Sequence, residues 1–94
     1  MLRITTEEND SLTRFRLDGK LKGDWVQELE RCWTDAKTLC PETQFSIDLN
    51  NVEFVDESGS ALLARMVSHG ASLEANSNLM MSVLVDKIVR GAVC

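Results

Sequence analysis

The sequence predicts an α/β fold of order ββαβαβα: a mixed four-stranded sheet with helices mainly on one face, in a single small domain spanning residues 1–94. Three observations predict it. Apolar and polar residues alternate in two stretches near the start and again over residues 44–55, which is the period of a half-buried strand. Three other segments switch to apolar recurrence at every third and fourth position, the period of an amphipathic helix. The two patterns take turns along the chain, and right-handed strand-helix-strand crossovers stack their helices on a shared side of so small a sheet.

The first pair of strands falls in "LRITT" and "SLTRFRL", with Leu2/Ile4 and Leu12, Phe15 and Leu17 as the apolar positions and "EEND" as the turn between them. "GDWVQELERCWTDAKTL" then changes period. Trp25, Leu29, Cys32 and Ala36 make one helical face flanked by Val26 and Trp33, both tryptophans are expected against the sheet, and Asp24 is placed to cap the start. This helix must stop before Pro41, because a proline disfavours helical geometry in its predecessor.

"QFSIDLNNVEFV" returns to alternation through Phe45, Ile47 and Leu49, pauses at the polar "NN", and resumes with Val52, Phe54 and Val55 as the core strand. Leu62, Leu63, Met66 and Val67 form the stripe of a second helix that ends near Gly70, where His69 suits the negative end of the helix dipole. "ASLEA" reads as a short strand. The last helix takes Asn76 or Ser77 as its cap and Leu79, Met80, Val83, Leu84, Lys87 and Ile88 as its face.

Composition narrows the function. The chain has a formal net charge of −5 and a sequence pI of about 4.7, so a nucleic-acid backbone finds no electrostatic footing. Arg14, Arg16, Lys20 and Lys22 are the one local excess of positive charge, and Asp18 among them marks a solvated strand surface. No apolar run reaches the ~20 residues that cross a bilayer, and "MLRITTEEND" lacks a signal layout, so the expected location is cytoplasmic without direct membrane insertion. Cys32, Cys40 and Cys94 suit neither a paired framework nor a zinc site. They are expected as reduced thiols, with Cys32 filling core space and Cys94 open to oxidation.

Catalytic motifs are missing. There is no phosphate-cradling glycine loop, no HExxH, no CxxC and no GxSxG, and nothing is built around the lone His69. The carboxylates Asp48, Glu53, Asp56 and Glu57 lie close in sequence, but their spacing fits no calcium loop, and they read as solvated strand and turn groups. Met66, Met80 and Met81 read as packing residues. No enzyme, cofactor or metal is expected.

What remains is the junction "VDESGS". Asp56 ends an apolar strand and is a sound helix N-cap, Glu57 complements the dipole in the first turn, and Gly59 permits close approach to the sheet. "FSIDLNNVEFVDESGSALLARM" also resembles the central signature of STAS domains, named for sulphate transporters and anti-sigma-factor antagonists. Their pattern of an apolar residue, Asp-Leu, then Val, Phe and an apolar residue before Asp-Ser-Ser-Gly is matched by Ile47, Asp48, Leu49, Val52, Phe54, Val55, Asp56, Ser58 and Gly59. More weakly, "FRLDGKL" looks like the family's second strand and glycine turn, and "GASLEANSNLMMSVLVDKI" like its last strand and helix.

The resemblance implies a STAS-like, non-enzymatic module that regulates transcription by docking a protein partner, such as an anti-sigma factor or ATPase-type kinase, through the start of the second helix. The surface it implies comprises Asp56, Glu57, Ser58, Gly59, Ser60 and Lys22. In the antagonists the serine directly after the aspartate is phosphorylated, which adds roughly −1.5 to −2 charges at the docking surface. This chain has Glu57 there, and Lys22 where the antagonists commonly carry an acidic residue. The expectation is therefore a module without the standard serine phosphoswitch, with Ser58 or Ser60 the candidate for any relocated phosphorylation. Two alternatives stand beside it: an accessory STAS subunit of an ABC-type membrane transport complex, and an acyl-carrier-type protein, which the strand-like segments disfavour. Partner, pathway and oligomeric state are not written in the sequence.

Overall fold

The computed structural model describes residues 2–8 and 11–93. Strands β1 (Leu2–Glu8) and β2 (Leu12–Leu21) pair antiparallel, helix α1 (Asp24–Leu39) crosses over to β3 (Gln44–Val55), and α2 (Glu57–Ser68) crosses to β4 (Ser72–Glu74) before α3 (Leu79–Val93) closes the chain. The sheet order is β1-β2-β3-β4, with β2, β3 and β4 parallel. Fold class and element order are those expected. Cys94 and the Asn9–Asp10 half of the first turn lie outside the described residues.

The core lies between one sheet face and the helix layer. Phe15, Leu17 and Leu21 of β2, Ile47, Leu49 and Val52 of β3, and Leu29, Leu62, Leu63 and Met66 of the helices are almost wholly buried in one cluster. The opposite sheet face is polar. Asp48, expected to be solvated, is only 6% exposed, because Arg14 donates to it at 3.0 Å and Asn50 donates to its other oxygen through backbone and side chain.

The polar "NN" does not break β3. Two register shifts against β2 each insert one extra residue into it, so the inward positions run Phe45, Ile47, Leu49, Val52 and Val55, at spacings of two and then three. Bulges of this kind re-aim side chains without ending a strand. Phe54, expected in the core, pairs with Lys20 on the polar face and is 47% exposed. Nor does Gly19 make a turn: β2 runs through it at φ 114°, beside the second shift.

Helix α2 ends as its sequence suggests. Gly70 takes φ 96° and donates to the Val67 carbonyl while Ala71 donates to that of Met66, the paired bonds of a Schellman stop, and the buried Ala71 and Met66 supply its apolar contact. His69 caps this end, with Nδ1 2.8 Å from the Arg65 carbonyl. Its ring meets Trp33 edge-on at 5.5 Å, and Lys37 lies over the same indole. Trp33 thereby joins α1 to the end of α2, and Trp25 is only partly buried.

Helix α3 is turned from its expected face. Met81 and Ile88 are buried and Leu84 and Val85 pack against the core, whereas Leu79, Met80 and Val83 point outward. Its cap is Asn78 rather than Asn76 or Ser77: Asn78 Oδ1 accepts from Met81 N, and its amide donates to the carbonyls of Asn50 and Val52. Those bonds to β3 set the helix rotation, which apolar spacing alone left open. Among the described residues, no helix is long and apolar enough to cross a membrane.

Candidate functional site

The site is built where β3 delivers the chain into α2. Asp56 leaves the strand in extended geometry, with φ −83° and ψ −179°, and anchors its own amide to the Leu21 carbonyl at 3.1 Å. One carboxylate oxygen accepts from Gly59 N at 2.7 Å, which satisfies a free amide of the first helical turn. The other accepts from Gly23 N at 3.0 Å, across 33 residues of sequence. A single carboxylate thus ties the start of α2 to the loop before α1.

The sequence placed the cap of α2 correctly and missed Gly23. Asp24, expected to cap α1, is its first helical residue; Gly23 holds the cap position at φ 60° with no side-chain cap. Its amide is spoken for by Asp56, and the glycine immediately ahead of a helix was the available signal. Lys22, exposed beside it, accepts from Trp25 N through its carbonyl at 3.2 Å, and its positive charge falls near Asp56.

Gly59 is where the helix closes on the sheet. A Cβ there would stand 2.9 Å from Val55 Cγ1, 3.0 Å from the Leu21 carbonyl oxygen and 3.1 Å from Leu21 Cγ. Glu57 and Ser58 turn the other way. Both are exposed, and neither side chain has a hydrogen-bond or ion-pair partner among the described residues. Ser60 is half-buried, and its amide makes the first bond of the helix, to the Asp56 carbonyl at 2.9 Å.

Of the residues expected at this surface, Lys22, Glu57 and Ser58 are exposed at the foot of α2, Asp56 and Ser60 are half-buried, and Gly59 is buried against the sheet. The nearby carboxylates are not gathered into one cluster: Asp48 is engaged by Arg14 on the polar face, and Asp56 by two backbone amides. No group of three or more histidine, cysteine or acidic residues among the described residues could hold a metal ion. Two clefts lie elsewhere, one lined by Cys40, Pro41 and Thr43, the other by Asn50, Glu53 and Met80, and residues 56–60 line neither. Burial pushes the Cys32 thiol up, as suits a packing residue.

The Gly59 amide first, and the Gly23 amide second, hold the Asp56 carboxyl below the ordinary carboxylate range. Because the folded group titrates below its unfolded counterpart, its stabilisation is complete above about pH 5 and is lost as pH falls through the lowered folded value. Asp56→Asn cannot ionise, so its stability should fall less steeply than that of the wild type between about pH 5 and pH 2. Equal slopes in urea titrations across that window would show that the carboxylate bonds do not contribute.

No family model matches the chain, and no curated protein matches it in sequence. Solved structures do match. An anti-sigma factor antagonist from Mycobacterium paratuberculosis superposes with a TM-score of 0.77 at 16% identity, over 97% of this chain and 82% of that one. The anti-sigma factor antagonist SpoIIAA in its unphosphorylated form gives 0.66 at 20% identity, over 86% of this chain and 80% of the other. A STAS domain described as an antisigma-factor antagonist, from Rhodobacter sphaeroides, gives 0.55 at 18% identity, over 81% and 86%. By fold, the chain is a STAS-like domain, the mixed sheet and helix layer shared with the anti-sigma factor antagonists.

Proposed function

We propose that the chain is a regulatory binding module that docks a protein partner through the first turn of α2, with Glu57 as a fixed charge in place of a phosphorylated serine. One observation carries the reading. Asp56 clamps the start of α2 to the Gly23 loop, which leaves the side chains of Glu57 and Ser58 exposed and unengaged on a rigid support. A surface held this firmly suits recognition, because little ordering entropy is left to lose on binding.

The structural neighbours described as anti-sigma factor antagonists support a partner of the anti-sigma factor class. Glu57 brings about half the charge of a phosphate, and it sits at the positive end of the helix dipole, where a carboxylate stabilises the helix. It therefore biases the surface electrostatically without a modification step. A phosphate added to Ser58 would share the start of α2 with the carboxylates of Asp56 and Glu57, against two like charges.

Affinity capture from the source cells, with cross-linking, tests the reading. The partner retained by the wild type should cross-link at Lys22 and the first turn of α2, and Glu57→Ala should change its recovery. Equal recovery with cross-links mapping elsewhere would overturn it. Phosphopeptide mapping of the same material reports whether Ser58 or Ser60 is phosphorylated.

A further inference from the structure

Strand β1 is an edge of the sheet, paired with β2 through seven consecutive residues and without a register shift. An edge of that length offers a row of unpaired amides and carbonyls to another strand, and proteins ordinarily blunt such edges with charged side chains, lysine above all, with proline, or with bulges. "LRITTEE" has no proline, no lysine and no bulge. Its charges are arranged differently. The register with β2 puts Leu2, Ile4 and Thr6 on the face of Leu17 and Phe15, which is the helix side, and Arg3, Thr5 and Glu7 on the polar side.

Arg3 and Glu7 are exposed, and neither has an ion-pair partner among the described residues. Arg14, directly across from Glu7, is already held by Asp48 and Glu74. The unused charges sit symmetrically, two residues on either side of Thr5. If two such strands run antiparallel with Thr5 opposite Thr5, each Arg3 faces the other strand's Glu7, and Ile4 faces Thr6 on the helix side. The register also keeps both helix layers on the same side, since every facing pair then shares a face.

We propose that β1 pairs antiparallel with the β1 of a second copy of this chain, centred on Thr5, joining two sheets into one through a pair of Arg3–Glu7 contacts. The other edge, β4, has three residues and offers no comparable template. A contact seven residues long is narrow, so the dimer is weak and reversible, with a Kd of about 0.1 mM. This inference is independent of what docks at α2.

Sedimentation equilibrium up to about 1 mM chain tests it, with thermal melts confirming that each variant folds. The wild type should dimerise reversibly. R3E alone or E7R alone sets like charges opposite each other twice, and each should weaken the dimer by about tenfold or more. An equimolar mixture of the R3E chain and the E7R chain restores opposite charges at every pair and should associate about as well as the wild type. A wild type that stays monomeric throughout, a dimer indifferent to both substitutions, or a mixture no tighter than its separate components would each overturn the proposal.

Discussion

Gly59→Ala should lower stability by about 1–3 kcal/mol, the cost of forcing a methyl into a closed contact. In a domain of this size each kcal/mol lost lowers Tm by about 4–8 °C. Two effects compete. Alanine is a better helix former than glycine by about 0.8–1 kcal/mol in a helix interior. Against that, the new Cβ would meet the stiff branched side chain of Val55 at 2.9 Å and the Leu21 carbonyl oxygen at 3.0 Å. The carbonyl belongs to the backbone of a buried strand and accepts from Asp56 N, so it cannot swing aside. The clash therefore wins over the propensity gain, and Gly59→Val should cost more still. Displacing the first turn also strains the Asp56 bonds to Gly59 and Gly23, so the surface around Glu57 should be disturbed along with the fold. A thermal melt of Gly59→Ala equal to the wild type would show that α2 does not need its close seat on β2 and β3.

The largest loss is expected from Phe15→Ala, about 3–5 kcal/mol. Phe15 is 1% exposed on the strand between β1 and β3, and its ring lies parallel to that of Phe45 at 6.0 Å. Removing it opens a cavity in the middle of a small core, where neighbours on rigid strands cannot collapse to fill it. Against a total stability of about 5–15 kcal/mol for a native domain, the variant should be near its unfolding limit at room temperature. Phe54→Ala is the natural control. That side chain faces outward, so its loss should fall within about 0.5 kcal/mol. Chemical denaturation of the pair reads the face assignment directly: similar losses would place Phe54 in the core and contradict the double bulge of β3.

Much of this architecture was legible because the relevant signals are local. Strand β3 spans the residues its alternation marks, and Asp56 caps α2 as its position between an apolar strand and a helical stripe requires. Gly70 and His69 likewise end α2 through bonds to carbonyls within the preceding turn. Caps, stops and periods depend on residues three or four apart, and the sequence holds those side by side. The misjudged side-chain faces have a common cause in partners far along the chain, whereas the caps of α1 and α3 were misplaced by only one or two residues. Phe54 faces out because β3 must stay in register with β2 around two inserted residues. Asp48 is buried because Arg14 crosses from the neighbouring strand, and α3 is rotated because Asn78 reaches back to β3.

The junction at "VDESGS" divides along the same line. The sequence alone determines that Asp56 starts a helix and that Glu57 and Ser58 lie in its first turn. Only the tertiary structure decides that the Asp56 carboxylate also holds Gly23, that Lys22 is thereby brought beside it, and that Val55 and Leu21 are what a side chain at Gly59 would crowd. The physical reason is the reach of each interaction. A cap closes within one helical turn, whereas a carboxylate shared between two amides, or a helix seated on a sheet, exists only once strands distant in sequence have been packed side by side.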